Sequence, residues 1–149
     1  LHMPDPDVVP AAFRRAHPKG RIFVRGDRNA AIYVAVEPRR LHVVFEGEPD
    51  GACLTGVFVE AREAGVLTND MWALVDITRF TGAIDWKAIS AMCEIVPKGG
   101  DGLNRNAYIV RDGITAAMTK ISAALFVHTE HKAFLNEAEA REWLGWEPI

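Results

Sequence analysis

The chain has 149 residues, of which 49% are hydrophobic and 25% are charged, and these values are ordinary for one globular domain with a full core. The formal net charge of −3 argues against nucleic-acid binding as a main activity. The longest unbroken apolar run covers only residues 30–36, which is far too short for a membrane-spanning helix.

The first 20 residues are predicted to form a flexible arm ahead of a domain that spans residues 21–149. Leu1-His2-Met3 resembles a remnant of cloning, and we expect no secretory signal because no cationic start is followed by an apolar stretch. Four prolines without a period favour extended backbone, although residues 11–16 are compatible with one helical turn. Residues 1–28 hold six Arg or Lys and three Asp or Glu, so the arm is either a solvated basic tail or docks on an acidic partner or on the chain itself.

Three β strands are predicted next, from short runs of apolar, β-branched and aromatic residues. They cover residues 21–25, 31–37 and 41–46, and turn-forming residues separate them. The second and third strands alternate in character, as expected when successive side chains point to opposite faces of a sheet. We expect these strands to form an antiparallel hairpin or a three-stranded meander.

Helical and strand patterns then alternate to the end of the chain. In order they predict a helix over residues 50–65, a strand over 71–77, a helix over 85–96, a strand over 107–110, a helix over 112–125, a strand over 131–135 and a helix over 136–145. Asp50, Asp85 and Asn136 are the predicted N-caps, and Gly65 and Gly145 end two of the helices. Alternating βα units imply parallel strands, so we predict a single α/β domain whose mixed sheet begins with an antiparallel hairpin.

Three segments carry a resemblance to a known family. The first segment, residues 72–82, contains a predicted strand with Asp76, followed by a short stretch with a phenylalanine and a glycine. The second, residues 107–110, is the next predicted strand. The third, residues 132–144, is a strand that contains a phenylalanine, followed by a Glu- and Ala-rich helix that ends in Trp-Leu. Over residues 30–146 the chain resembles the SpoIIAA-like branch of the STAS domain superfamily, which is distantly similar to Sec14-type lipid-binding domains. The resemblance implies a STAS-like fold that acts by binding partner proteins or small ligands.

The resemblance also raises the question of a phosphorylation switch. Many STAS regulators are controlled by phosphorylation of a serine at a helix N-terminus, but the short stretch after Asp76 contains no serine, so that switch is not carried over. Thr78 and Thr81 are either phosphoacceptors or ordinary hydroxyls. Arg79 and Phe80 are of the types enriched at protein interfaces, although Phe80 is equally suited to the core.

Asp76 is predicted at the carboxyl end of a central strand, where open α/β sheets bind ligands. An aspartate there can hold a metal ion or accept a phosphoryl group, but the first strands lack the acidic pair that response-regulator receivers require. We favour the alternative that Asp76 accepts backbone N–H bonds and orders its loop. The predicted ligand or partner site comprises Asp76, Thr78, Arg79, Phe80, Thr81, Arg111 and Asp112.

No pattern in the sequence predicts a catalytic site, a metal site or a cofactor. His128 and His131 are three residues apart in a strand-like segment, a spacing that puts them on opposite faces, and His17 and His42 are isolated. The two cysteines are far apart and are expected to be buried in a reducing compartment, which agrees with a cytoplasmic location. We therefore expect a protein without enzymatic activity.

A homodimer contact is predicted in the helix over residues 112–125. Residues 114–126 are apolar on more than one side, which indicates either deep burial or contact with another subunit. We favour the subunit contact, and its candidate residues are Ala117, Met118, Ile121 and Leu125.

Three functions stay open at this point. The favoured one is a regulatory or binding module that acts through a protein partner or a small apolar ligand. The second is a Sec14-like carrier of a small molecule or lipid, which requires a sizeable apolar pocket between sheet and helices. The third is a small enzyme that uses Asp76, Asp112 and Arg111, which requires those side chains to meet in one cleft with shifted pKa values.

Overall fold

The computed structural model describes residues 8–82, 104–112 and 129–148, together with Lys87, Ala91 and Ile95. These three single residues are helical, in agreement with the predicted helix over residues 85–96. Several residues of the sequence predictions lie outside the described residues, namely Asp85, Cys93, Ala117, Met118, Ile121, Leu125 and His128.

The described strands form one six-stranded sheet in which sequence neighbours are also spatial neighbours. The strands are β1 (Arg21–Gly26), β2 (Ala31–Glu37), β3 (Arg40–Gly47), β4 (Trp72–Phe80), β5 (Asn104–Ile109) and β6 (Thr129–Phe134). β1, β2 and β3 pair in antiparallel fashion, whereas β3 to β6 are parallel. The predicted α/β class, with a mixed sheet that begins with antiparallel strands, is confirmed.

Tight turns set the register of the antiparallel strands. Pro38 and Arg39 join β2 to β3, and Arg39 has a left-handed φ of 67°. At the far end of β3, Gly47 has a φ of 64°, and a Cβ there would lie 2.1 Å from the carbonyl oxygen of Asn29. Only glycine allows this close approach, so the end of β3 is held against the turn that precedes β2.

Helix α2 (Gly51–Glu63) covers one face of the sheet. Its N-cap is Asp50, whose Oδ1 accepts a hydrogen bond from the Cys53 N–H at 2.8 Å, as the sequence predicted. Gly65 follows the helix with a left-handed φ of 76°. The apolar layer under α2 draws on the helix and on the inward-facing residues of β1 to β4, among them Phe23, Ile32, Val34, Val43, Leu54, Val57, Phe58 and Ala73.

Helix α1 (Ala11–Ala16) covers part of the opposite face, and its position differs from the predicted extended tail. It starts after Pro10 and ends at His17, so the prolines flank the helix and do not interrupt it. Val9, Phe13 and His17 follow one another at helical spacing, and all three are buried against the sheet. Of the alternatives for the arm, docking on the chain itself is the one seen for residues 8–17.

Helix α3 (Glu137–Leu144) covers the rest of that face, over β4 to β6. Asn136 is its N-cap and accepts the Glu139 N–H at 2.9 Å, and Gly145 ends it with a φ of 72°. Both features were predicted from the sequence. The apolar contacts beneath α3 are made by Leu74, Ala107, Ile109, Ala140, Leu144 and Trp146.

Candidate functional site

Because β3, β4, β5 and β6 are parallel, their carboxyl ends lie at one edge of the sheet, which we call the carboxyl edge. β4 ends at Phe80, β5 at Ile109 and β6 at Phe134. Ligands of open α/β sheets bind at such an edge. The predicted site residues lie in the last part of β4 and directly after β4 and β5, so all of them are in this region.

β4 is longer than predicted because it contains a bulge. Val44 is paired with Asp76, but the next paired residues are Glu46 and Arg79, so β4 has one more residue than β3 in this interval. The prediction that the strand ends at residue 77 is wrong, because the polar residues of the bulge interrupt the apolar pattern without ending the strand. Residues 78–80 are therefore strand residues and not loop residues.

One oxygen of the Asp76 carboxylate is hydrogen-bonded within the bulge. Its Oδ1 accepts a hydrogen bond from the Thr78 backbone N–H at 2.9 Å and another from the Thr78 hydroxyl at 2.6 Å. A bulge removes backbone groups from the regular ladder, and a short acidic side chain two residues earlier satisfies the freed N–H. The structure thus shows the backbone-ordering role that the sequence favoured for Asp76.

Arg79 belongs to a polar group on the face that carries α1. Its Nη1 donates to Glu46 Oε1 at 2.9 Å, and the Tyr33 hydroxyl donates to the same oxygen at 2.8 Å. Burial, together with the hydrogen bond to Glu46, raises the pKa of Tyr33, and the bond to Glu46 also raises the pKa of Arg79. Since the Arg79 side chain is 67% exposed, it is a fixed cation that solvent reaches.

Phe80 lies on the other face of the sheet from Arg79, because neighbouring strand residues point in opposite directions. Its ring meets that of Phe45 edge-on, with 5.9 Å between centroids, and Phe45 packs on the core under α2. Arg111 donates from Nη2 to the Phe80 carbonyl at 2.8 Å. The structure therefore joins Arg111 to the end of β4 but separates the predicted pair of Arg79 and Phe80.

Thr81 and Asp112 are the remaining residues of the predicted site, and both are exposed. Thr81 donates its backbone N–H to the Gly47 carbonyl at 3.0 Å, which continues the contact between β3 and β4 past Phe80. Asp112 follows Arg111 in the segment after β5. Both residues are thus on the surface of the carboxyl edge.

Leu135 is an exposed residue of the carboxyl edge that the sequence reasoning missed. It comes directly after β6 and is 71% exposed, more than any other large hydrophobic side chain in the described parts of the chain. The predicted strand over residues 131–135 included it, and a strand pattern does not tell where burial stops. No local signal marks this exposure, because a hydrophobic residue just before an N-cap such as Asn136 commonly packs on its own helix.

A buried chain of hydrogen bonds lies between α1 and the sheet, apart from the predicted site. His17 Nδ1 contacts Glu37 Oε1, and His17 Nε2 lies 2.8 Å from His42 Nδ1. A carboxylate only accepts hydrogen bonds, so His17 Nδ1 is the donor to Glu37. The prediction that the two histidines are isolated is wrong, because docking of α1 joins residues that are 25 positions apart.

A cavity of about 100 Å³ adjoins the two histidines. Its lining includes Arg40 and Glu147, which make two hydrogen bonds at 2.7 and 3.2 Å, and Arg141, which binds Glu137 at 2.7 Å. Burial, followed by the neighbouring His17 and Arg141, lowers the pKa of His42 to about 3. His42 is therefore neutral at pH 7, and the charges around the cavity are paired with one another.

Metal and thiol chemistry find little support in the described residues. Among them, no group of three or more His, Cys, Asp or Glu side chains is placed to hold a metal ion. His131 lies 2.9 Å from the Tyr108 hydroxyl and stacks on its ring. Cys53 is half-buried, and burial raises the pKa of its thiol, which makes it a weak nucleophile.

No helix in the described parts of the chain has the length and apolar character needed to cross a bilayer.

The architecture defines a class of protein, namely α/β modules with a mixed sheet and helices on both faces. Residues 40–145 match the model of the SpoIIAA-like family, and the chain belongs to that family. The match begins at β3, so α1, β1 and β2 precede it. The resemblance seen in the sequence is confirmed.

A solved structure shares the fold. It is the crystal structure of an uncharacterised protein of the DUF3478 family, with a SpoIIAA-like fold, from Shewanella loihica PV-4. The two chains are 18% identical and superpose with a TM-score of 0.55, over 84% of this chain and 93% of the other. At this identity the likeness shows the fold alone. No curated protein matches the chain.

Proposed function

We propose that this chain is a non-enzymatic STAS-like module that acts by binding a partner protein at the carboxyl edge of its sheet. The observation that carries the proposal is the exposed Leu135 next to the exposed Arg111 segment. The Val110 N–H donates to the Phe134 carbonyl at 2.9 Å, and Arg111 and Leu135 each follow one of these two bonded residues. Exposed apolar side chains and arginines are features of protein interfaces.

Two arginines at the carboxyl edge have side chains that are held in place by hydrogen bonds. Arg79 is held by Glu46 and Arg111 by the Phe80 carbonyl, so both cations are fixed before a partner arrives. A partner that fits carries an apolar group for Leu135 and a carboxylate for the Arg111 guanidinium, since Glu46 already pairs with Arg79. Fixed side chains lose little conformational entropy on binding, which favours affinity.

The contacts of Asp76 and Arg111 favour a binding role over an enzymatic one. An enzyme that used these residues would need their side chains in one cleft. The Asp76 carboxylate instead binds Thr78 inside the β4 bulge, and the Arg111 guanidinium binds backbone at Phe80. Asp76 and Arg111 thus bond to β4 at different points, Asp76 in the bulge and Arg111 at Phe80.

Packing favours a protein partner over a lipid or another small apolar ligand. Under α2, the side chains of Ile32, Val34 and Val57 are at most 1% exposed, so the space between helix and sheet is filled there. The cavity beside His17 and His42 is small and lined with charged groups. Neither place suits an apolar ligand of lipid size.

The proposal includes a cytoplasmic homodimer. The apolar pattern of residues 114–126 supports a subunit contact through Ala117, Met118, Ile121 and Leu125. Two cysteines that are distant in sequence support a reducing compartment. A dimer would present two carboxyl edges to partners and so raise avidity.

Photo-crosslinking in cells of the source organism tests the partner. A photoreactive phenylalanine replaces Thr81 at the carboxyl edge, or Glu63 at the exposed end of α2 as the control position. We expect a discrete protein adduct from position 81 only, and we expect it to weaken when Leu135→Ser or Arg111→Glu is added. Identical adducts from both positions would contradict the proposal. So would an adduct whose yield is unchanged by both Leu135→Ser and Arg111→Glu.

A further inference from the structure

Residues 8–17, which we call the N-terminal segment, cover an apolar part of the sheet formed by β1 to β3. Val9 and Phe13 pack there, and the Phe13 ring meets Tyr33 at 4.8 Å and His42 at 4.9 Å between centroids. The helix in this segment has only six residues, and Pro10 gives it no side-chain cap. So short a helix is not stable alone in water, so the segment stays helical only while it is docked.

The side-chain hydrogen bonds that join this segment to the sheet are made by His17. Its Nδ1 binds Glu37 at the end of β2, and its Nε2 binds His42 Nδ1 in β3 at 2.8 Å. His42 is 6% exposed, with the rings of Phe13 and His17 beside it. Departure of the segment would therefore break the bond between the histidines and open His42 to water.

The bond between the two imidazoles limits how many protons the pair can hold. It needs an N–H on one ring and a lone pair on the other. Because His17 Nδ1 already donates to Glu37, the pair can hold one extra proton in the bond between the rings. If both rings were protonated, His17 Nε2–H and His42 Nδ1–H would face each other and the bond would be lost. The docked state is therefore incompatible with two charged histidines.

The surroundings of His42 also disfavour its protonation. His42 Nε2 is buried and has no hydrogen-bond partner within the described residues. The cations that face the cavity are Arg40 of β3 and Arg141 of α3. The nearby carboxylates are already engaged, Glu37 with His17, Glu147 with Arg40 and Glu137 with Arg141.

We propose that Glu37, His17 and His42 form a proton-sensitive latch, which holds the N-terminal segment on the sheet at neutral pH and releases it in acid. Release uncovers the apolar face of β1 to β3, with Tyr33, Ala35 and Val44 at its centre. The latch is distinct from the carboxyl edge, and it lies largely outside the part of the chain that matches the family, since α1 and β2 precede residue 40.

The pH range in which the latch opens follows from the proton that His42 binds once the N-terminal segment is released. Burial lowers the pKa of His42 from 6.5 to about 3, whereas a solvated His42 in the released state has its ordinary pKa. Above pH 6.5 neither state binds this proton, so release does not depend on pH. Between pH 6.5 and about 3 only the released state binds it, so the release equilibrium grows by up to about tenfold per pH unit.

Hydrogen exchange of the full chain between pH 7.5 and 5.0, corrected for intrinsic rates, tests the latch. We expect the opening constant of residues 8–17 to rise about thirtyfold from pH 7.5 to 5.0. In His42→Gln, which keeps polar atoms but does not titrate, the rise should be less than about twofold. The control His131→Gln, on β6, should behave as the wild type.

Three outcomes would overturn the latch. The first is a pH-independent opening of the segment in the wild type, and the second is an unchanged rise in His42→Gln. The third is opening of the segment together with α2, since that is global unfolding and not release. If His42→Gln does not fold, histidine-ring NMR of the wild type decides, because a charged His42 in the docked chain at pH 5.0 contradicts the mechanism.

Discussion

Asp50, Asp76 and Asn136 each accept a hydrogen bond from a backbone N–H two or three residues ahead in the chain. The same carboxylate and amide groups stand at catalytic and metal sites in many folds, so an aspartate at a sheet edge invites a functional interpretation. Hydrogen-bond partners distinguish the two roles. At Asp76 the backbone and hydroxyl of Thr78 donate to Oδ1, so this side chain stabilises the bulge.

Replacement of Asp76 by alanine removes both hydrogen bonds to Thr78 and leaves the bulge N–H without its acceptor. We expect the free energy of unfolding to fall by about 1–3 kcal/mol, as measured by urea denaturation. Asp76→Asn keeps an oxygen acceptor and should lose less than half as much. Equal losses in the two variants would mean that the fold needs the charge and not the acceptor.

His42 should make global stability depend on pH. Its folded-state pKa of about 3 lies below the ordinary 6.5, so the unfolded chain binds the proton first as the pH falls. This contribution to stability is constant above pH 6.5 and is lost progressively from pH 6.5 down to about 3. From pH 7 to pH 5, urea denaturation should show the wild type losing about 2 kcal/mol more than His42→Gln. Parallel curves for the two proteins would refute this role.

The helices and strands divide into those with local signals and those without. Alternation predicted β2 and β3, and caps and glycines predicted both ends of α2 and of α3, because these signals act within a few residues. The end of β4 was predicted too early because the polar residues of a bulge interrupt the apolar pattern in the same way as the end of a strand does. For α1 the sequence left a solvated tail and docking on the chain open, because the prolines around residues 11–16 favour an extended arm but also fit a helix between them.

The N-cap of α3 offers a test of these local signals. In Asn136→Ala the Glu139 N–H loses its acceptor, and we expect the free energy of unfolding to fall by about 1 kcal/mol. Asn136→Asp keeps the acceptor and should stay within a few tenths of a kcal/mol of the wild type. Thermal and urea denaturation measure both. A loss in the aspartate variant as large as in the alanine variant would show that the cap is not what stabilises this end.

At the scale of the whole molecule, the features hardest to predict are those that depend on docking. The residues of the candidate edge could be named from the strand order, since parallel strands end together. Nothing local joins His17 to His42, or shows that Leu135 is exposed while Phe134 beside it packs on the core. These facts arise only when α1 and α3 are placed on the sheet.

The homodimer is testable at this scale. Residue Ala117 lies in the apolar pattern of residues 114–126, and a charge there would have to be buried in a subunit contact. Light scattering should give the wild type twice the 16.5 kDa chain mass and Ala117→Glu the mass of one chain. Thr119→Glu, in the same helix pattern, serves as the matched control and should remain dimeric. A monomeric wild type, or an Ala117→Glu variant that stays dimeric, would contradict the contact.

Hydrogen exchange on the complex with the crosslinked partner tests the binding site most directly. If the carboxyl edge is the docking surface, exchange should slow at residues 80–82, 110–112 and 134–136, where β4, β5 and β6 end. The exposed end of α2, residues 62–64, should exchange as in the free chain. Slowed exchange at α2 with no change at the carboxyl edge would contradict a partner-binding role for this edge.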